Sequence, residues 1–533
     1  MDTIFYNGKI NTFDQAGTVC SAVRASNGII SALGSDDELR SFVSPRTETV
    51  DLKGAVVFPG FMEAHNHLSI YGYLNDGLDL TPGKVKKIDD ILALVKSRTE
   101  TLPAGNWIKG SCYAEYFLEE NRHPTRWDLD KVSPNHPVVL YHTSFHACVL
   151  NTPALKLFNI TPETPSPEGG IVEKDSHSGE PTGVLHDAAM SEVMDTLFLK
   201  ALSQMSRQER IDLCAKSTEK FASLGYVFAA DALVVPETLN MYQEAEQAGQ
   251  LKIRIYTMNH APTADGLVES KIKTGFGSGR LVIGPIKIFQ DGGMSNRTAS
   301  VSTPYLTPPH GKGLKIQSRE KLIELVTRYH NLGYQIAIHG QGDDGIRDIL
   351  DAYESVLGPN SNNPLRHRIE HSGCLYPDLI QRAGKMGILA AVQPVFFGLL
   401  GDGFIEAFGS NLANQLYPFK SMLEAGMTLG GSSDCPVAPL DSRLGLQGAV
   451  KRQTPSGAVL AEDQSLTMDQ ALQLYTKGSA YLSFDENRNG SIEIGKRADF
   501  TIMDADPRNV PIDEVPDIPF TMTVVDGEIV WAS

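Results

Sequence analysis

The stretch "AVVFPGFMEAHNHLSI", residues 55–70, joins an apolar run, a Pro-Gly pair and two histidines one residue apart. A short apolar run bounded by turn residues is consistent with a buried strand. Successive side chains on a strand alternate faces, so His65 and His67 share one. Two imidazoles on one face are a common start for a metal site. The question is whether the rest of the chain builds a sheet around this strand.

Seven further strand-like runs follow: "GYVFAADAL" (225–233), "LKIRIYTMNH" (251–260), "GPIKIFQDGG" (284–293), "YQIAIHGQG" (334–342), "HRIEHSG" (367–373), "GILAAVQPVF" (387–396) and "MTLGGSSDCP" (427–436). Helix-like runs such as "REKLIELVTRYHNLG" and "DDGIRDILDAYESVL" separate most of them, and several stop at a glycine. Alternating β and α units predict a parallel sheet with helices outside, and eight units predict a closed α/β architecture, the (β/α)8 TIM-like barrel.

Both ends of the chain have a different texture. Residues 1–57 and 488–533 read as short strands and turns, with hairpin-type Asn-Gly pairs at 7–8 and 27–28. They form either two small sheets or one sheet made from both termini. That leaves 58–487 for the barrel. Residues 72–205 exceed any ordinary strand-to-helix connection and carry their own helix and strand signals, so they are expected to form an inserted subdomain over the barrel mouth.

Active sites of such barrels lie at the C-terminal ends of the strands. His65 and His67 end the first strand, Lys287 lies on the fourth, and His339, His371 and Asp434 end the fifth, sixth and eighth. Each alone has an ordinary explanation. A single histidine there is usually just hydrogen-bonded, Asp434 precedes a Cys-Pro turn, and Lys287 could snorkel to the surface. A lysine amid apolar residues is nonetheless costly to bury unless paired or chemically altered. The joint pattern decides for a site. Gln393, at the end of the seventh strand, faces the same mouth and could hydrogen-bond substrate. In the insertion, His146 is favoured over His142 as a pocket residue. Tyr113, Phe145, Phe396 and Phe397 are candidates either for an apolar cavity or for the core.

These residues carry a resemblance. "FPGFMEAHNHL", "IKIFQDGGMSNRTAS", "IAIHGQGDDGIRDILDAYE", "HRIEHSG", "GGSSDCPVAPLDSRLGLQGAVKRQT" and "GSIEIGKRADFTIMDADP" resemble the amidohydrolase superfamily of metal-dependent hydrolases. The insertion, through "GNWIKGSCYAEYF" and "EPTGVLHDAAM", resembles its YtcJ-like branch, which includes N-substituted formamide deformylases. The resemblance implies that the terminal segments join into one small β-sandwich. It implies that His65 and His67 bind a buried metal, that Lys287 is N-carboxylated and bridges two metals, and that His339 and His371 bind the second. Asp434 would bind the first metal and act as acid and base, and Arg297 would be a pocket residue. The expected cofactor is a divalent ion, zinc first, at one or two per chain.

The implied reaction is hydrolysis of an amide-type C–N bond in a small molecule. A cyclic amide, carbamate, ester or amidine is the alternative within the same chemistry, since one metal hydroxide can attack them all. A non-catalytic scaffold is less favoured, because all six ligand positions are kept. The net charge of −17 argues against a nucleic-acid partner. No apolar run approaches the roughly 20 residues a membrane helix needs, and the N-terminus has no signal-peptide pattern. Six cysteines without short pairings fit a reducing compartment, so a cytoplasmic enzyme is expected, with a homodimer left open.

Overall fold

The computed structural model describes residues 2–74, 77–307 and 311–533. Residues 75–76, within the expected insertion, and 308–310 lie outside the described residues.

The run 55–67 divides at Gly60 and serves two sheets, which corrects the expectation of a single strand. Val56–Pro59 runs parallel to Lys9–Asn11 and antiparallel to Phe500–Met503. Phe61–Asn66, strand β1, is the first strand of the barrel. At the break the backbone passes so close to Val227 that a side chain on Gly60 would put its Cβ 2.4 Å from Val227 Cγ2. The Gly60 N–H meanwhile donates to the Asp499 carbonyl at 2.9 Å.

The remaining barrel strands are β2 (Tyr226–Val234), β3 (Arg254–His260), β4 (Leu281–Phe289), β5 (Ile336–Gly340), β6 (Arg368–His371), β7 (Leu389–Val392) and β8 (Leu429–Gly431). Each pairs in parallel with the next. Their Val, Ile and Ala side chains, Val282 excepted, are buried on both faces, as parallel strands covered by helices require. The helices between them start at ordinary caps; Arg207–Ala222, before β2, has Ser206 and Glu209 in a capping box.

Among the described residues no ladder joins β8 to β1. The circle closes just beyond the strand ends instead. The Asp434 N–H donates to the His65 carbonyl at 3.0 Å, and the His67 N–H donates to the Cys435 carbonyl at 2.7 Å. The Ser433 N–H adds a bond to Glu63 Oε1 at 2.7 Å.

The terminal segments form two sheets packed face to face. One is built from Asp2–Tyr6, Ala22–Ser26, Ile29–Gly34 and Thr47–Asp51. The other mixes both ends of the chain, with Lys9–Asn11 and Val56–Pro59 beside Phe500–Met503 and Phe520–Val525. Phe5, Val23, Ile30, Val57, Phe500 and Val524 share the core between them. Asn27-Gly28 makes the expected hairpin between Ala22–Ser26 and Ile29–Gly34. Asn7-Gly8 does not: it carries the chain from one sheet to the other. Buried Arg254, at the start of β3, ties this sandwich to the barrel through Asp499, with its Nε 3.1 Å from Oδ2.

The insertion lies between β1 and β2, as expected. It is a six-stranded sheet running in space from Gly170–Lys174 through Pro181–Asp187, Ala147–Leu150, Val138–His142 and Ile108–Tyr113 to Leu78–Asp79, followed by short helical turns over 188–204. The loop around Ser144–His146 reaches down to the barrel, where Thr143 Oγ1 donates to the Val437 carbonyl at 2.8 Å. Among the described residues no helix is long and apolar enough to cross a membrane.

Candidate active site and metal centre

The four strand-end histidines converge at the C-terminal mouth of the barrel. Ring centroids are 4.8 Å apart for His65 and His371, 4.5 Å for His339 and His371, and 5.6 Å for His65 and His67.

Each ring has one nitrogen tied from behind. His65 Nδ1 bonds the Glu370 carboxylate, whose other oxygen is 2.7 Å from Arg368 Nε. His67 Nδ1 donates to the Ala232 carbonyl at 2.9 Å. His371 Nδ1 donates to Gln393 Oε1 at 2.9 Å, and His339 Nε2 donates to the Gly292 carbonyl at 3.2 Å. An oxygen partner fixes the N–H on that side and leaves the second nitrogen as a bare lone pair, the form in which imidazole ligates a metal. Burial drives the His371 imidazole down to about 3 and that of His339 well below its ordinary value, so both stay neutral donors.

Asp434 completes the centre. Its Oδ1 stands 3.3 Å from Nε2 of both His65 and His67 and makes no hydrogen bond. Its backbone is left-handed, with φ +61°, and so is that of His371, with φ +73°. Such conformations cost energy in non-glycine residues and gather at functional sites. Ligand atoms of His65, His371 and Asp434 all lie within 4.8 Å of one another. His371 thus stands with His65 and Asp434 as well as beside His339, where the sequence reading had grouped it with His339 alone.

Lys287 on β4 is completely buried, and its Nζ has no hydrogen-bond partner. Burial lowers its ammonium to about 8. A buried lysine nitrogen without a partner, beside converging imidazole lone pairs and a carboxylate, fits a divalent cation and an anionic form of the lysine.

The remaining expected site residues divide. His146 lies at the mouth, its ring 5.0 Å from that of His339 and its Nδ1 2.6 Å from Asp187 Oδ1. Burial pulls its pKa down, but the Asp187 carboxylate outweighs this and raises it. Arg297 is placed elsewhere: its Nη1 donates to Glu115 Oε1 at 3.0 Å and its Nε to Thr307 Oγ1 at 2.7 Å. Gln393 is consumed by His371 and by Ser432 Oγ, the latter at 2.9 Å, so it orients the His371 ring. His142 is held by Glu115 Oε2 at 2.8 Å. Phe145 and Phe396 line space at the mouth, while Phe397 and Tyr113 are core. Glu370 and Asp187 carry no motif of their own in the sequence, and His260, which reads as a structural histidine, lines the mouth. Alternation did hold a signal for Glu370, an acid two residues from Arg368 on a strand expected to be buried.

The centre opens into a cavity of about 590 Å³. Met190, Phe198, Leu233, Phe289 and Leu325 make its wall largely apolar. A second cavity, of about 20 Å³, also reaches His339 and Asp434 of this centre.

A parallel barrel with this set of donors at its mouth is the architecture of a metal-dependent hydrolase. The chain belongs to the amidohydrolase family, which it matches over residues 48–531. It is 30% identical to the N-substituted formamide deformylase of Arthrobacter pascens over 544 residues, covering 99% of this chain and 97% of that one. It is 32% identical to the YtcJ amidohydrolase of Bacillus subtilis (strain 168), covering 100% and 99%. An uncharacterized metal-dependent hydrolase of Pyrococcus horikoshii shares its fold with a TM-score of 0.77 at 28% identity, covering 96% of this chain and 99% of that one. The protein is therefore a hydrolase acting on carbon–nitrogen bonds of the amide type, and its family implies a divalent metal.

Proposed function

We propose that this chain hydrolyses the C–N bond of a small N-substituted amide. Water adds to the carbonyl carbon, the bond to nitrogen breaks, and a carboxylic acid and an amine leave. His65, His67, His339, His371 and Asp434 would hold one or two divalent ions, zinc first, with Lys287 as a carbamate between them. A bound divalent ion supplies a water acidified towards a pKa of ~7 and an electrophile for the carbonyl oxygen.

The chain's own groups do the rest. Asp434 takes the proton of the attacking water on a carboxylate oxygen and passes it to the nitrogen, which must be protonated to leave. Glu370, Gln393 and the carbonyls of Ala232 and Gly292 keep the imidazoles turned to the centre. His146, its Nδ1 held by Asp187, would bind substrate oxygen through Nε2. The apolar wall excludes water and takes the bulk of the substrate. The formamide deformylase likeness supports an N-acyl amine as substrate. The six unpaired cysteines support a reducing compartment, and we place the protein in the cytoplasm.

The observation that carries this reading is Asp434 Oδ1 at 3.3 Å from two imidazole nitrogens without a hydrogen bond. The test is metal content per chain on protein purified without chelator, with activity on a panel of N-acyl and N-formyl amines. Bound zinc with turnover that is lost on chelation and restored by metal is expected. A protein that binds no zinc or manganese and turns over no amide contradicts the reading.

A further inference from the structure

The insertion brings a second set of hydrolytic groups to the same mouth. The hairpin between Val138–His142 and Ala147–Leu150 carries Ser144 at its tip. Ser144 is 6% exposed and lines both cavities, as do His146 and Asp434. Its Oγ is 2.8 Å from His142 Nδ1. That nitrogen also accepts the Ser144 N–H at 3.1 Å, so it bears a lone pair and the ring proton sits on Nε2. Nε2 in turn stands 2.8 Å from Glu115 Oε2. This contact is close but not aligned as a hydrogen bond, as catalytic contacts often are before substrate binds.

Hydroxyl, imidazole and carboxylate in this order are the arrangement that turns a serine into a nucleophile. Each member is held in place. Burial opposes the charge of Glu115, but His123, His142 and Arg297 outweigh it and hold the carboxyl well below its ordinary value. The Tyr113 ring packs edge-on against the His142 ring, with centroids 5.4 Å apart. Phe145 turns the hairpin with a left-handed backbone, φ +55°, which is costly for an aromatic residue. The His146 N–H donates to Ser144 Oγ at 3.1 Å, which favours negative charge on that oxygen. A serine that only closed the turn would need neither the buried imidazole nor the carboxylate behind it.

We propose that Ser144, His142 and Glu115 form a nucleophilic triad, and that the mouth hydrolyses apolar aryl esters of carboxylic acids by a route of its own beside the amide reaction. His142 Nδ1 takes the hydroxyl proton as Ser144 Oγ bonds to the carbonyl carbon. The bond from that carbon to the phenol oxygen breaks, the phenol leaves with the proton, and an acyl-serine remains. Water then adds to the acyl carbon and gives a proton to His142 Nδ1. The bond to Oγ breaks, Oγ takes the proton back, and the carboxylic acid leaves. Aryl esters fit because a phenol is a far better leaving group than an amine. The largely apolar wall of the large cavity suits the aryl group. Glu115 is a positioning residue, 2.8 Å from the ring nitrogen that stays protonated throughout.

The test uses the full chain as purified, with 4-nitrophenyl acetate as ester and phenylmethylsulfonyl fluoride as serine reagent. Wild type should release a burst of about one 4-nitrophenolate per chain and keep it in the presence of a chelator. The sulfonyl fluoride should label Ser144, located by peptide mass spectrometry, and this readout needs no variant. Ser144→Ala should lose the label and about 100-fold or more of the chelator-resistant turnover. Glu115→Gln should lower the maximal labelling rate about tenfold or more while the half-saturating reagent concentration stays the same, a split that mere loosening of the hairpin would not produce. Absence of label at Ser144, or equal ester turnover by wild type and folded Ser144→Ala, overturns the triad. Ester turnover that vanishes with chelator and returns with metal belongs to the metal centre and overturns it too. The amide reading is tested separately with amides and stands or falls without this result.

Discussion

Asp434 meets His65 at two points: its N–H donates to the His65 carbonyl at 3.0 Å, and its Oδ1, without a hydrogen bond, faces the same residue's Nε2 at 3.3 Å. The residues that close the barrel are therefore the residues that build the centre. Asp434→Asn keeps the shape and the backbone bond but removes the charge and the proton acceptor. It should lower kcat by about 10²–10⁴, the range of a general acid–base group, with the melting temperature little changed. Full activity in a folded Asp434→Asn would exclude the aspartate as the proton carrier.

Glu370 tests the groups behind the ligands. Burial disfavours its charge, but Arg368 and His65 outweigh this and hold the carboxyl down to about 2. Glu370→Gln keeps an oxygen near His65 Nδ1 and removes the anion. Metal affinity, read by competition with a chelator of known strength, should fall about 10–100-fold.

Lys287 tests the anionic bridge. An amine lowered to about 8 is partly neutral at physiological pH, and only the neutral amine adds CO2. Native mass spectrometry should show one CO2 added to the chain in bicarbonate, and Lys287→Met should lack it and bind fewer metal ions per chain. Equal metal content in the two proteins would remove Lys287 from the centre.

A pH dependence follows from His367, away from the cavity. Burial, with His330 beside it, lowers its imidazole from 6.5 to about 3. Its Nδ1 accepts the Ile336 N–H at 3.1 Å, so charging it breaks that bond. Between these values the unfolded chain binds the proton and the folded chain does not. Stability should therefore be full above pH 6.5 and decline as the pH falls towards about 3. Thermal melts from pH 7 to pH 4 should show the decline, with a smaller slope in His367→Gln, which carries no titrating ring.

Much of this was legible in the sequence because periodicity and strand-end chemistry are local properties. The eight strands, the insertion and the six charged or ligating residues could be read from short runs and their last positions. Gly60 shows where such reading stops. "AVVFPGFMEAHNH" looks like one strand, and only Val227 and Asp499, distant in sequence, explain why it breaks. Arg297 and Gln393 show the same limit for side chains. Both lie on segments that reach the mouth, but what they face depends on Glu115 and His371, which tertiary packing alone brings near.

The break at Gly60 has a consequence for synthesis. The strand that leads to the two histidines continues a strand whose neighbour, Phe500–Met503, is made more than four hundred residues later. As the protein emerges from the ribosome, Val56–Pro59 must wait with one edge bare for more than four hundred residues. Such long-range pairing is slow and leaves an aggregation-prone edge meanwhile. The candidate centre is thus tied to the synthesis of Phe500–Met503, and a nascent chain stalled before residue 500 should carry most of the barrel without a firmly seated first strand.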